Sequence, residues 1–249
     1  MILELDAGNT RIKWRLVNEA DANTLASNYA DDLDDDSTGA GLFTQLGAHS
    51  LDSIQRIRVA NVRGEKFQER LTHQLSENWQ LQPEFAQVHK QCNGVTNSYQ
   101  DPQIMGVDRW LAMLSAYART GSACCILDCG SAMTFDWIDN DGNHMGGFIV
   151  PGLKLMQESL ARKSPALDVI LDDWSEPALG KSSNSAISQG IHTMVRGFLR
   201  ECWELSNEKT TGTEWFLTGG NAGVISEQLN WSHKLESDLV LDGLSLALP

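Results

Sequence analysis

Apolar and polar positions alternate with a period of two over Met1–Asp6 and again over Ile12–Val17, separated by the polar, glycine-bearing stretch Asp6-Ala7-Gly8-Asn9-Thr10. Successive strand side chains point to opposite faces, so this pattern predicts an N-terminal β-hairpin. Ile54 to Val62 predicts another strand, closing in Asn61-Val62-Arg63-Gly64, and residues 65–79 follow helical spacing. A second helix is expected from near Gly106 through Leu111–Ala118. After it, Cys124–Asp128 reads as a buried strand, Cys129-Gly130-Ser131-Ala132 as a glycine turn and Met133–Ile138 as a second strand. Asp139-Asn140-Asp141-Gly142 then turns into a third strand that ends at Gly146-Gly147-Phe148-Ile149-Val150-Pro151-Gly152. The expected arrangement is a three-stranded meander.

The two strand–turn starts are alike. Leu3-Glu4-Leu5-Asp6-Ala7-Gly8-Asn9-Thr10 and Cys125-Ile126-Leu127-Asp128-Cys129-Gly130-Ser131-Ala132 each run an apolar strand into an aspartate, a small residue, a glycine and a hydroxyl or amide residue. They lie about half a chain apart, which predicts an internal duplication with halves at residues 1–117 and 118–249.

Composition narrows the function classes. A 249-residue chain with 41% hydrophobic and 21% charged residues is ordinary globular material. Its net charge of −14 repels phosphate backbones and anionic headgroups, so neither nucleic acid nor a membrane surface is an expected partner. The N-terminus carries acids where a signal peptide carries lysines, and no apolar run reaches the roughly 18 residues of a spanning helix; a cytoplasmic location is expected. Five cysteines (92, 124, 125, 129 and 202) lack paired zinc-ligand spacing and read as reduced, mostly buried thiols. The five aspartates within residues 29–39 lack the calcium-loop spacing and terminal glutamate, and read as a solvated loop.

The turns carry candidate chemistry. A glycine turn lets backbone N–H groups approach an anion, a carboxylate just before it can hold Mg²⁺, and the Thr10 hydroxyl can bond a phosphate oxygen. Two ordinary aspartate-capped hairpins have the same sequence signature, so the pair alone leaves both readings open. In Tyr99-Gln100-Asp101-Pro102-Gln103-Ile104-Met105-Gly106-Val107-Asp108-Arg109-Trp110, an acid and a base open a helix. Asp108 suits the helix dipole, whereas Arg109 sits against it and calls for an anionic partner. A cap with an exposed charge is the simple reading. The functional one has Asp108 taking a proton from a substrate hydroxyl while Arg109 fixes a substrate carboxylate.

Five motifs then occur in register: Asp6-x-Gly8-Asn9-Thr10, Gly106-x-Asp108-Arg109, Asp128-x-Gly130-Ser131-Ala132-x-Thr134-x-Asp136, Gly146-Gly147-x-Ile149-x-Pro151-Gly152 and Thr218-Gly219-Gly220-Asn221-Ala222. Their order and spacing resemble the type III pantothenate kinases, relatives of the Bvg accessory factors in the acetate and sugar kinase, Hsc70 and actin superfamily. The resemblance implies an α/β fold of two duplicated ribonuclease H-like domains of actin and sugar kinase type, with mixed β-sheets flanked by helices and ATP in the cleft. It implies phosphorylation of pantothenate to 4′-phosphopantothenate, the first step of coenzyme A synthesis, by a homodimer using Mg²⁺ and a monovalent cation, K⁺ or NH₄⁺. Asp6, Ala7, Gly8, Asn9, Thr10, Arg11, Ile12 and Lys13 then match the first phosphate loop, with Asp6 acting through the metal. Tyr99, Gly106, Val107, Asp108 and Arg109 match the pantothenate positions, with Asp108 as general base. Asp128 matches the monovalent-cation ligand, and Ser131 stands where an ATP-contacting threonine is usual. Ser183, in Gly180-Lys181-Ser182-Ser183-Asn184-Ser185-Ala186, matches a loop threonine that reaches pantothenate from the partner subunit. The chain departs from the pattern at Ser131 and Ser183 for threonine, Asn221 for aspartate and Cys129 for alanine.

No Gly-x-x-x-x-Gly-Lys-[Ser/Thr] is present, so a P-loop mechanism is excluded. A sugar or acetate-type kinase would share the turns but differ at Tyr99 and Gly106–Arg109, and a non-catalytic regulator would tolerate loss of Asp6, Asp108 or Asp128. Trp110, Trp137, Trp174, Trp215 and Trp231 read as core or dimer contacts rather than pocket lining.

Overall fold

The computed structural model describes residues 1–30, 53–163, 170–171, 174, 177–209 and 212–249. Most of the aspartate-rich stretch 29–39 lies outside them. The chain divides into two compact units, Met1–Arg119 with Asp238–Pro249, and Thr120–Ser237. The second expected half thus loses its last twelve residues to the first unit, because the C-terminal helix packs on that unit's sheet.

In the first unit, β1 (Ile2–Ala7) pairs antiparallel with β2 (Ile12–Val17), which pairs with β3 (Thr24–Ala30). On its other side β1 runs parallel to β4 (Arg56–Asn61), followed by the short β5 (Glu84–Phe85), giving the order β3-β2-β1-β4-β5. Leu3, Leu5, Ile57 and Val59 bury one face against Phe67, Leu71 and Leu75 of α1 (Glu65–Trp79). Helical spacing of these three aligns them on one stripe, and each fully buried aliphatic side chain contributes about 1.5–3 kcal/mol. The helix ends at Gln80, in the left-handed conformation, whose N–H donates to the Ser76 carbonyl at 2.9 Å.

The opposite face is charged. Cross-strand register places Glu4 between Arg15 on β2 and Arg58 on β4. Glu4 is only 1% exposed and accepts from Arg15 Nε at 2.6 Å and Arg58 Nη1 at 3.1 Å. Arg15 Nη1 also donates to Asp242 at 2.5 Å, on the helix α6 (Leu239–Ala247). Burial alone would depress the Arg15 pKa, yet Glu4 and Asp242 hold it above its ordinary value. Arg119 bonds the second oxygen of Asp242. These charges fasten the C-terminal helix to the sheet.

The second unit repeats the plan. β8 (Cys124–Cys129), β9 (Ala132–Ile138) and β10 (His144–Pro151) form the expected meander, and β11 (Glu214–Thr218) and β12 (Lys234–Leu235) extend it to the order β10-β9-β8-β11-β12. The two central strands β1 and β8 have the same burial pattern, with Asp6 and Asp128 at the same half-buried fifth position. The core packs β8 and β9 on the long helix α4 (Ser183–Lys209) through Ile191, Val195, Leu199 and Cys202. Cys124, Cys125, Cys129 and Cys202 are buried free thiols, and burial pushes Cys124 and Cys202 up to about 12. Trp215 is buried and packs with Trp203 and Trp231, whose rings stack at 4.5 Å. Trp110 and Trp137 are buried as well.

Removing Glu4 takes from the buried Arg58 the carboxylate it bonds and leaves Arg15 with Asp242 in place of two close carboxylates. Glu4→Ala should therefore lower unfolding stability by about 3–5 kcal/mol in denaturant titration. Glu84→Ala, which breaks the more exposed pair with Arg56, should cost under about 1 kcal/mol. Equal small losses from both would mean that the charged row does not hold the sheet.

Candidate active site

The segment before α2 (Val107–Thr120) is built by a hairpin. β6 (Gln91–Cys92) and β7 (Val95–Thr96) join through Asn93-Gly94, with φ of 45° and 82°. Positive φ at both central residues is the twist-matched two-residue turn, which favours Asn-Gly. Gly94 also lies so close to Tyr117 that a Cβ there would stand 3.2 Å from its ring. The hairpin delivers Tyr99 toward the start of α2. There the buried Arg109 donates through Nη1 to Tyr99 Oη at 3.0 Å, so the structure brings these two candidates together. Asp108 Oδ1 accepts the Arg109 backbone N–H at 2.8 Å and folds back over Gly106, where a Cβ would approach it to 2.5 Å. Tyr99, Gly106, Val107, Asp108 and Arg109 thus form one cluster in the first unit. The partner seen for the Arg109 guanidinium within the cluster is the hydroxyl of Tyr99.

Residues 8–11 form the turn between β1 and β2, with Asn9 and Arg11 exposed. Asp6 stands at the end of β1, in register with Lys13 on β2. The Lys13 ammonium is paired with Asp238, which precedes α6, and lies 5.3 Å from the Tyr29 ring centre; Arg11 stacks over the same ring at 5.4 Å.

In the second unit Asp128 ends β8 in register with Thr134 and Thr218. Its carboxylate rests on glycines: a Cβ at Gly219 would stand 2.5 Å from Oδ1, and one at Gly130 3.0 Å. Gly219 has φ +89°, so a side chain there is excluded on both counts. The turn is tied further by the Asn221 N–H on the Cys129 carbonyl at 3.0 Å and the Gly152 N–H on the Ser131 carbonyl at 3.0 Å. Ser131 is exposed on this turn. One row along the sheet, Asp136 is buried and bonds His144 at 2.9 Å.

Ser183 does not lie in a loop: it is the first residue of α4, and exposed. The reason is local. The Ser182 hydroxyl accepts the Ser185 N–H at 3.2 Å while Ser185 Oγ accepts the Ser182 N–H at 3.0 Å, a reciprocal cap that starts the helix within the stretch expected to be a loop.

Lys90, Asn97 and Met105, which shape the Tyr99 segment, were not singled out in the sequence; the Asn93-Gly94 dipeptide was the signal that marks their hairpin. Among the described residues no three His, Cys, Asp or Glu side chains form a metal-holding group, and no helix is long and apolar enough to cross a membrane. Mg²⁺ commonly takes one or two carboxylates with substrate phosphates, a donor type that Asp6 supplies. Asp128 supplies the same kind of oxygen donor beside Gly130 and Gly219.

The fold is shared with a Baf family transcriptional activator from Campylobacter jejuni (20% identity, 98% and 95% of the two chains, TM-score 0.60). It is also shared with a 2-dehydro-3-deoxygalactonokinase from Sinorhizobium meliloti (14%, 99% and 98%, TM-score 0.64). An ADPNP-bound activator of 2-hydroxyisocaproyl-CoA dehydratase from Clostridium difficile has it too (13%, 99% and 92%, TM-score 0.54). These neighbours are consistent with the duplicated actin and sugar kinase architecture. The family model for type III pantothenate kinase matches residues 2–205. Proteins of that name from Ectopseudomonas mendocina (strain ymp) and Pseudomonas aeruginosa (strain LESB58) are each 36% identical over 256 residues, spanning 100% of this chain and 99% of the relative. Full-length similarity on top of the shared architecture fixes the assignment: the chain belongs to the type III pantothenate kinase family.

Proposed function

We infer that the protein is a cytoplasmic kinase that transfers the γ-phosphoryl group of ATP to pantothenate, giving 4′-phosphopantothenate and ADP at the first step of coenzyme A synthesis. The observation that carries this is the Tyr99–Arg109–Asp108 cluster on a chain of that family. Likeness to the sugar kinase and Baf structures concerns the fold alone, and their names decide nothing about the acceptor.

Phosphoryl transfer depends on positioning and on offsetting oxygen charge rather than on covalent help. Arg109, held by Tyr99, fixes the pantothenate carboxylate. Asp108 takes the proton of the pantothenate hydroxyl as its oxygen bonds the γ-phosphorus and the bond to ADP breaks. The backbone N–H groups of Gly8 to Arg11 and the Thr10 hydroxyl cradle phosphate oxygens, and Ser131 contacts ATP from its turn. Asp6 would hold Mg²⁺ and Asp128 a K⁺ or NH₄⁺ ion, which when bound supply positive charge beside the phosphates. Lys13, already paired with Asp238, lines the loop rather than replacing these ions.

The partner is a second copy of this chain, and Ser183 completes the acceptor site across the interface. With a net charge of −14, an uncharged patch is where two copies repel each other least. The second unit offers it: Ile149 on β10 and Met194 on α4 are 61% and 58% exposed, beside an apolar groove of about 400 Å³ lined by Val150, Met156, Ile191 and Phe198. Ser183 begins the same helix.

Asp108→Asn should reduce turnover by about 10²–10⁴ with the fold intact, read by coupled ADP release with pantothenate as acceptor. Near wild-type turnover would remove Asp108 as the base. Activity should collapse in Na⁺ or Tris buffer and return with K⁺ or NH₄⁺; indifference to the exchange would take Asp128 out of the cation role. Mixing inactive Asp108→Asn and Ser183→Arg chains should restore one working site per heterodimer. An active monomer, or no rescue once subunit exchange is verified, would overturn the shared site.

A further inference from the structure

Asn97 is fully buried, at 0% exposure, in a loop that precedes Tyr99 by two residues. A buried amide persists only when its groups are bonded, and each of these bonds has a defined target. Asn97 Oδ1 accepts the Tyr99 backbone N–H at 2.9 Å. Nδ2 reaches Met105 Sδ at 3.4 Å, one residue before Gly106. Its backbone N–H donates to the Lys90 carbonyl at 2.9 Å, and its carbonyl accepts from Lys90 Nζ at 2.7 Å; the same ammonium reaches the Tyr99 carbonyl at 3.1 Å. One side chain therefore links the Tyr99 strand of chain to the residue that opens α2, and Lys90 closes the hairpin beneath both.

We propose that Asn97 is a positioning residue for the acceptor: it sets the distance between Tyr99 and the Asp108–Arg109 pair, with Lys90 as its brace. This rests on the reading of that cluster as the pantothenate subsite. Without the amide, Tyr99 loses the bond that fixes its backbone, its phenol no longer meets Arg109 at a set place, and the guanidinium is left free to swing. Displacements of about 1 Å in such positioning groups cost up to about 10²-fold.

The test compares Asn97→Ala, Asn97→Asp and Lys90→Met with wild type, measuring KM for pantothenate and for ATP separately, together with amide hydrogen exchange over residues 97–106. Asn97→Ala should raise the pantothenate KM about 10- to 100-fold, leave the ATP KM within about 2-fold, and speed exchange at the Tyr99 amide. Asn97→Asp keeps the oxygen that accepts the Tyr99 N–H and should restore its protection. Lys90→Met changes an exposed side chain, so it tests the brace even if Asn97→Ala fails to fold. It should raise the pantothenate KM by a smaller factor. In a Tyr99→Phe background the Asn97→Ala effect should shrink, since both act through the same ring. Equal rises in both KM values, full additivity with Tyr99→Phe, or unchanged exchange at Tyr99 would overturn the proposal. If wild-type protein fails to use pantothenate at all, the substrate reading fails, whereas the exchange data still decide whether Asn97 ties the two segments.

Discussion

Glu4 is a carboxylate almost without contact with water, and Arg15 and Arg58 face it from the strands on either side. The row Arg15–Glu4–Arg58 has a single register that satisfies it. A slip of one residue would turn Glu4 toward the apolar face shared with α1 and bring Leu3 or Leu5 to the charged one. The charged row therefore does for the first sheet what hydrophobic patterning usually does alone. It fixes where Asp6 ends the central strand, two residues further on, and hence where the turn of residues 8–11 projects. It also reaches outward through Asp242 to α6, and through Asp242 again to Arg119 at the end of α2. The C-terminal end of α2 and the start of the turn of residues 8–11 are thereby referred to the same set of charges.

The second unit keeps the frame and changes the fill. Ile126 takes the place of Glu4, flanked by Asp136 on β9 and Phe216 on β11, and Asp136 hydrogen-bonds His144. The sheet can dispense with a charged row because its other face packs on α4 through a continuous apolar stripe. What both units preserve is the aspartate at the fifth position of the central strand, half-buried while its neighbours are buried. The duplicated scaffold varies its core yet retains this position. In the second unit the glycines at 130 and 219 pack close against the carboxylate there.

Much of this was legible in the chain. The period-two stretches Met1–Asp6 and Ile12–Val17 became strands, because a side chain on a pleated sheet must alternate whatever its tertiary context, and so did the buried run Cys124–Asp128 and Met133–Ile138. The cluster of Tyr99 with Arg109 was legible as a set of residues but not as a bond, since the hairpin that folds one onto the other is read only once Asn93-Gly94 is recognised as a turn. The membership of Asp238–Pro249 in the first unit was not legible: it depends on Asp242 finding Arg15 across most of the chain length, and sequence spacing carries no trace of that. Ser183 was expected in a loop because the five consecutive polar residues Lys181 to Ser185 look like one, whereas two of their hydroxyls cap a helix.

The acceptor cluster shows how a helix start and a tight turn divide the labour. The start of α2 supplies Asp108 and Arg109 one residue apart, which on a helix point in different directions, so the helix alone cannot aim both at one small molecule. A second anchor outside the helix is required. Tyr99 is that anchor for the guanidinium, and it arrives on a segment whose geometry is set by backbone bonds, not by its own packing. The positive-φ turn at Asn93-Gly94 reverses the chain, the Lys90–Asn97 bonds close the reversal, and the Asn97 amide passes that fixed point to Tyr99 on one side and Met105 on the other. Rigid positioning of a flexible arginine thus comes from a stack of short-range hydrogen bonds, each formed within ten residues of the last. That locality places the whole cluster within one unit.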